Sequence, residues 1–329
     1  CKVVKPVYGM AQAGRRWQRS LFPWLLSRGF KQCESETCVF SLTRTVSTPA
    51  GPRDERLTIG VYVDDLAILY SHDDEHSLYS EFVKALQRWK VEDEGELSDL
   101  LGIDFSRDGG AIKLSQGKYV QRLFETYLPD GAPAGVDSRT PCGPELESQV
   151  LAALLQQASD VDPALLRQYQ SIVGALLYCA TNTRPDVAFS VAMLCRAMAR
   201  PTPALLTAAR RVLCYLHATR DLGLRDERSA ERLYGMSDSN WATRHSTSGH
   251  VFMQNRAAIS WSSKKQATVA LSSCEAEIVA ASEAAREAVH LTRLATELGL
   301  HDGTSIDLHV DNKSAIDVAY NPEHRTAMK

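Results

Sequence analysis

The run Val61-Tyr62-Val63-Asp64-Asp65-Leu66-Ala67-Ile68-Leu69 sets two adjacent carboxylates inside a stretch that is otherwise apolar and strand-like. Charges in such a place need compensation, because a carboxylate shielded from water is costly unless paired or bound. Two readings are open. Asp is a favoured turn residue, so the pair can be no more than the tip of a hairpin. Alternatively, a rigid hairpin holds both carboxylates against a hard octahedral cation such as Mg²⁺, which prefers oxygen ligands and brings nucleotide phosphates with it.

Outward from this run the periodicities predict a helix over about 11–29, ending at Gly29, and strands at 38–42 and 57–70 separated by a turn-rich linker at 47–52. A helix near 75–91 carries Leu78, Phe82, Ala85, Leu86 and Trp89 at helical spacing, and 100–105 and 111–114 form a hairpin about Gly109-Gly110. The Pro-, Gly-, Asp- and Ser-rich segment 129–148 is taken as a boundary, and 149–220 reads as helical with breaks at Pro185, Pro201 and Pro203. That block holds no acid, base or nucleophile constellation, so its expected role is architectural. From Leu233 the period changes to three short strands, a helix over about 273–298, a fourth strand at 306–310 and a helix at 312–320. The expected fold is mixed α/β (α+β), with domains at 1–130, 131–230 and 231–329.

Hydrophobic residues make up 44% and charged residues 23% of the 329 residues, the balance of a folded globular protein and not of a disordered or fibrous one. No apolar run approaches the ~20 residues of a membrane span and no secretory pattern opens the chain, which implies an intracellular protein without a membrane partner. The eight cysteines lack metal-finger spacing and are expected to be reduced thiols. The net charge of −3 is unevenly spread: residues 1–32 hold Lys2, Lys5, Arg15, Arg16, Arg19, Arg28 and Lys31. With Tyr8 and Trp17 interleaved, this arm suits a phosphate backbone and stacked bases, or is a solvated helix face. Cys1 in place of Met, and the unpunctuated finish at Ala327-Met328-Lys329, imply a piece of a longer chain.

Three further acids stand at element ends: Asp238 after the first strand of the last block, Glu277 on the long helix and Asp311 closing the fourth strand. Glu277, Ala281, Ala284, Ala288, Leu291, Ala295 and Leu298 share a helix face, which places Glu277 on the core side. Ser272-Ser273-Cys274-Glu275 reads as a capping box, so Glu275 has a structural role and Glu277 is the stronger catalytic candidate. Two strand-end Asp beside a buried Glu would form an oxygen-only site suited to two Mg²⁺ (or Mn²⁺) ions about 4 Å apart. Trp241 and Trp261 can stack on a nucleic-acid strand or, as strand aromatics more often do, fill the core, and no His follows a ligand spacing.

Tyr62-Val63-Asp64-Asp65 resembles the Tyr-x-Asp-Asp box of reverse transcriptases, and Lys5-Pro6-Val7-Tyr8-Gly9-Met10-Ala11-Gln12-Ala13-Gly14-Arg15-Arg16-Trp17 is similar to a segment of copia-type elements, with Ala11 and Gly14 where that family has a base and Pro. Ser237-Asp238-Ser239-Asn240-Trp241-Ala242, Ser263-Lys264-Lys265-Gln266, Ala270 to Glu277 and Val310 to Ala315 resemble the RNase H of the same elements. Tyr169 to Tyr178 and Thr183-Arg184-Pro185-Asp186 resemble the segment between the two enzymes. The resemblance implies a copia-type LTR retrotransposon Pol polyprotein: a partial reverse-transcriptase palm and thumb, a helical connection, and an RNase H-like mixed sheet with helices.

It implies Asp64, Asp65, Asp238, Glu277 and Asp311 as metal ligands, two ions to each site, and Lys5, Gln12, Arg15, Arg16, Lys264 and Lys265 as nucleic-acid contacts. The partners would be an RNA template, a DNA primer, RNA–DNA hybrid, dNTPs in the full-length enzyme and other segments of the polyprotein, in a cytoplasmic particle and the nucleus. The family's further palm Asp falls before residue 1 and its fourth nuclease acid after His324-Arg325-Thr326-Ala327-Met328-Lys329, so neither activity is expected to be complete in these residues. The rival readings are an inert genomic remnant and a host protein that reuses the RNase H fold to bind nucleic acid without cutting it.

Overall fold

In a computed structural model, which describes residues 13–89, 91–157, 161–242 and 245–321, the run around Asp64-Asp65 divides into two antiparallel strands. They belong to the first of two units into which the chain divides, residues 1–97 with 289–305; the second is 98–288 with 306–329. The first unit holds α1 (Ala13–Ser27), β1 (Lys31–Gln32), β2 (Val39–Thr48), β3 (Gly51–Tyr62), β4 (Asp65–Tyr70) and α2 (Leu78–Leu86). Its sheet runs β1-β2-β3-β4, each neighbouring pair antiparallel.

The turn-rich stretch 47–52 is not the expected linker. Thr48 pairs with Gly51, so β2 and β3 form one long hairpin closed by Pro49-Ala50. Pro49 sits in the loop, where its missing N–H breaks no ladder bond. Thr43, Thr45, Val46 and Thr58 supply the β-branched residues that suit a pleated surface.

Alternation along β3 buries Leu57, Ile59 and Val61, which with Phe40 of β2 meet Leu21, Trp24 and Leu25 of α1 and Leu78, Phe82 and Leu86 of α2. Burying each such side chain fully stabilises by about 1.5–3 kcal/mol. Glu55, one step further along the same face, is also buried. Its Oε2 accepts the Leu78 N–H at 2.6 Å, at the start of α2, and Arg53 pairs with its Oε1. The helix start and the guanidinium together offset the cost of that charge.

The second unit opens with β5 (Asp99–Leu100), β6 (Ile103–Asp108), β7 (Ala111–Ser115) and α3 (Gly117–Tyr127). Then come α4 (Leu146–Leu154), α5 (Pro163–Asn182), α6 (Ala188–Arg196), α7 (Pro203–Ala218) and β8 (Gly223–Asp226). Pro163 and Pro203 take first helical positions behind the capping side chains of Asp162 and Thr202. β8 pairs with β7, so residues 223–226 return across the helical block to complete the sheet β5-β6-β7-β8. Leu128 and Leu146, at either end of the Pro- and Gly-rich segment, share one core cluster with Tyr169, Ile172, Leu194 and Leu213.

Last come β9 (Tyr234–Asn240), β10 (Thr247–Gln254), β11 (Ala257–Lys265), α8 (Ser273–Glu297), β12 (Asp307–Val310) and α9 (Lys313–Tyr320). This is the expected sequence of three strands, helix, strand and helix. The sheet order is β11-β10-β9-β12, with β12 parallel to β9 and the other pairs antiparallel. Gly235 is fixed by packing: a Cβ there would lie 2.4 Å from the ring of Phe252, which fills the core beside it.

Candidate active site

Tyr62 pairs with Asp65, which leaves Val63 and Asp64 as a two-residue loop with Val63 at φ 52°. Asp64 and Asp65 are both exposed at this tip. Below them β3 lies between β2 and β4 and buries Leu57, Ile59 and Val61. A β-branched residue at positive φ is strained by roughly 1–3 kcal/mol. Val63→Gly is therefore expected to raise the midpoint of thermal unfolding by roughly 1–3 °C, because relief of strain exceeds the added chain entropy; a lower midpoint would show that the turn is unstrained.

Arg15 and Arg16 are exposed on α1, whereas Lys5 and Gln12 lie outside the described residues. Trp17 is not available for base stacking. Its ring stands edge-on to Trp89, with centroids 5.6 Å apart, and packs on the core of the first unit.

The three acids of the last block converge. One carboxylate oxygen each from Asp238 on β9, Glu277 on α8 and Asp311 just past β12 lies within 4.8 Å of the others, Asp238 and Asp311 exposed and Glu277 buried. The parallel pairing of β12 with β9 puts both strand ends at one edge, and Glu277, in the second turn of α8, reaches them from the core. Glu277 Oε1 accepts from the Ser239 hydroxyl at 2.8 Å and the Ser239 N–H at 3.2 Å. Glu277 Oε2 is buried without a hydrogen-bond partner. Burial raises the Glu277 carboxyl above its ordinary value; the Ser239 bonds oppose this, and the charges of Asp238 and Asp311 add to it.

An orphaned buried oxygen beside two further carboxylates is the chemistry of a hard-cation site, and the donor set fits divalent ions. Among the described residues this is the group of acids, histidines and cysteines close enough to share an ion.

The face of α8 is turned slightly from the expected one. Ala280 and Ala284 are buried with Glu277, while Ala281 is only half-buried. Glu287 is half-buried and takes the Ser260 hydroxyl at 2.6 Å. One half of the capping box is formed, the Glu275 N–H donating to Ser272 Oγ at 3.1 Å, while the Glu275 carboxylate takes the N–H of Leu271, one residue before the cap, at 2.7 Å.

Sequence reasoning missed two supporting residues. Ser239 had no signal beyond adjacency to Asp238. Gln266 follows Lys264-Lys265, both exposed at the end of β11, but is itself buried, and its amide donates to Ser248 Oγ at 3.0 Å and Ala276 O at 2.8 Å. It ties β10 to the turn of α8 that carries Glu277.

Residues 1–132 match the family model for reverse transcriptase (RNA-dependent DNA polymerase). A transposon Ty5-1 protein of Saccharomyces cerevisiae is 30% identical over 294 residues, which cover 85% of this chain and 87% of that one. The chain belongs to the retrotransposon Pol polyprotein family. It is 33% identical over its whole length to the retrovirus-related Pol polyprotein from transposon RE1 of Arabidopsis thaliana, and 29% identical to that from transposon TNT 1-94 of Nicotiana tabacum. It spans 21% and 24% of their lengths, and so corresponds to one segment of a Pol polyprotein.

Proposed function

We propose that the chain is a copia-type Pol segment carrying the later part of a reverse transcriptase, a helical connection and an RNase H-like nuclease that cuts the RNA strand of an RNA–DNA hybrid. The observation that carries this is the convergence of Asp238, Glu277 and Asp311 on one spot, from elements that follow one another in the order the resemblance implies. Asp64 and Asp65, on their hairpin tip, are the cation ligands of the polymerase site in the full-length enzyme, where RNA template, DNA primer and dNTPs bind.

Bound at the triad, two Mg²⁺ or Mn²⁺ ions would supply Lewis-acid activation of water and neutralise charge on the leaving 3′ oxygen. The chain's own part is to hold the ligands. Ser239 fixes one oxygen of Glu277 and leaves the other free, and Gln266 anchors the helix turn behind it. Lys264 and Lys265 are phosphate contacts of the hybrid; Arg15 and Arg16, with Lys5 and Gln12, contact template and primer. Such a polyprotein would work inside the cell, in a cytoplasmic particle and in the nucleus. Among the described residues no helix is long and apolar enough to cross a membrane.

The test is direct. Lengthened at its C-terminus to take in the fourth acid of the resemblance, the chain is expected to release RNA fragments from a labelled RNA–DNA hybrid in Mg²⁺ or Mn²⁺. Asp238→Asn should reduce this to background. Cleavage that persists in Asp238→Asn removes the assignment.

A further inference from the structure

The Thr183-Arg184-Pro185-Asp186 segment has no role in the reading above, yet it borders the same acids. Beside Asp238 lies a groove of about 430 Å³, with Pro185 and Phe189 of the helical block on one side and Met236, Val251 and Trp261 of the sheet on the other. That size is within the ~300–1,000 Å³ of ligand sites. Strand register explains its floor. Met236, Val251 and Trp261 form one cross-strand row; Asp238, Gly249 and Ser263 form the next on the same face; Asn240, Thr247 and Lys265 form the third. The rows therefore grade from apolar and aromatic, through the metal-site carboxylate, to a cation. Gly249 leaves the middle of the floor open: a Cβ there would meet nothing closer than 3.8 Å.

The helical wall is held firmly. Arg184 is buried and grips Asp186 through two bonds of 2.9 and 2.7 Å and Thr219 through two more, while Tyr215 donates to Asp186 at 2.8 Å. The block is tied to the sheet by Trp261 Nε1 to Ala180 O at 2.6 Å and by Arg196 to Thr247 Oγ1 at 2.7 Å.

We infer that this groove seats a sugar–base unit of the nucleic-acid strand that passes the carboxylate triad, so that Phe189 and Pro185 of the helical block are substrate-positioning residues. The inference rests on the nuclease reading. The occupant follows from continuity: Asp238 belongs to both the groove and the triad, so whatever strand reaches the acids also lies against this floor. Bases stack on aromatic and apolar walls irrespective of sequence, and Lys265 stands in line for the neighbouring phosphate.

Binding of a fluorescein-labelled RNA–DNA hybrid to the full chain, followed by anisotropy across a salt series without divalent ions, tests this. Phe189→Ala and the groove-filling Gly249→Leu are each expected to weaken binding at least fivefold with the salt slope unchanged. Lys265→Ala should instead lower the slope by about 1. Mn²⁺ binding, followed by electron paramagnetic resonance, should be retained in all three variants, and circular dichroism checks that they fold. If folded Gly249→Leu binds the hybrid as the parent chain does, the groove holds something else and the inference is overturned. Parent chain that binds no Mn²⁺ would instead defeat the nuclease reading, whatever the groove variants do.

Discussion

Glu277→Gln is expected to stabilise the metal-free chain while abolishing the stabilisation that Mg²⁺ or Mn²⁺ gives the parent protein. Both effects are electrostatic. The carboxylate is buried and has two other acids within 4.8 Å, so its charge is desolvated and repelled. The amide removes that charge, and its oxygen can still accept from Ser239. A gain of about 1 kcal/mol is expected without metal, comparable to a modest desolvation penalty relieved. With metal the sign reverses. Binding to the folded state adds about 2.7 kcal/mol at a cation concentration 100 times Kd, and the variant forgoes most of it.

Thermal unfolding with and without Mn²⁺ reads both halves. Glu275→Gln is the control: it weakens the Leu271 cap and leaves the metal response intact. If Glu277→Gln and the parent respond equally to Mn²⁺, the triad is not the site.

Legibility in the sequence followed the range of the interaction. Local patterns were enough for the last block, because β9, β10 and β11 are short runs set off by brief connections and α8 carries its own cap, so element order and the three acids could be read without neighbours. The Asp64-Asp65 tip was legible for the same reason. What escaped depended on distant partners. β8 is too short to declare itself and exists because β7 offers an edge. α3 was overlooked although Tyr119, Val120, Leu123 and Phe124 have helical spacing, since no strong cap precedes it and Gln116 makes no side-chain cap bond. The linker expected at 47–52 is a hairpin tip because two Pro and a Gly can close a turn as well as open a coil. Trp17, read beside arginines, is held by Trp89, seventy-two residues away in sequence. The groove at Asp238 needs two chain segments at once, and its apolar walls, Pro185 and Phe189 against Met236, Val251 and Trp261, have no local pattern that pairs them.

Arg184→Ala should cost more stability than any other single change considered for the helical block. Arg184 is 2% exposed and satisfies Asp186, the Thr219 carbonyl and the Thr219 hydroxyl together. Burial alone would push the Asp186 carboxyl up, but the guanidinium and the Tyr215 hydroxyl more than offset this and hold it below its ordinary value. That contribution is present above the usual carboxylate range and is lost as pH falls through the depressed value. Removing the guanidinium leaves a half-buried Asp186 to the Tyr215 hydroxyl and takes the charged donor from the Thr219 carbonyl, which costs about 1–3 kcal/mol. Lys cannot repair it, since one ammonium does not reproduce the two-pronged contact.

The double variant Arg184→Ala with Asp186→Ala should be less damaged than the sum of the singles, because no orphaned charge remains. Urea unfolding measures all four proteins. A cost below about 1 kcal/mol for Arg184→Ala, the scale of an exposed ion pair, would show that the network is not a buried clamp. In that case the Pro185 and Phe189 wall would have to be held by packing alone.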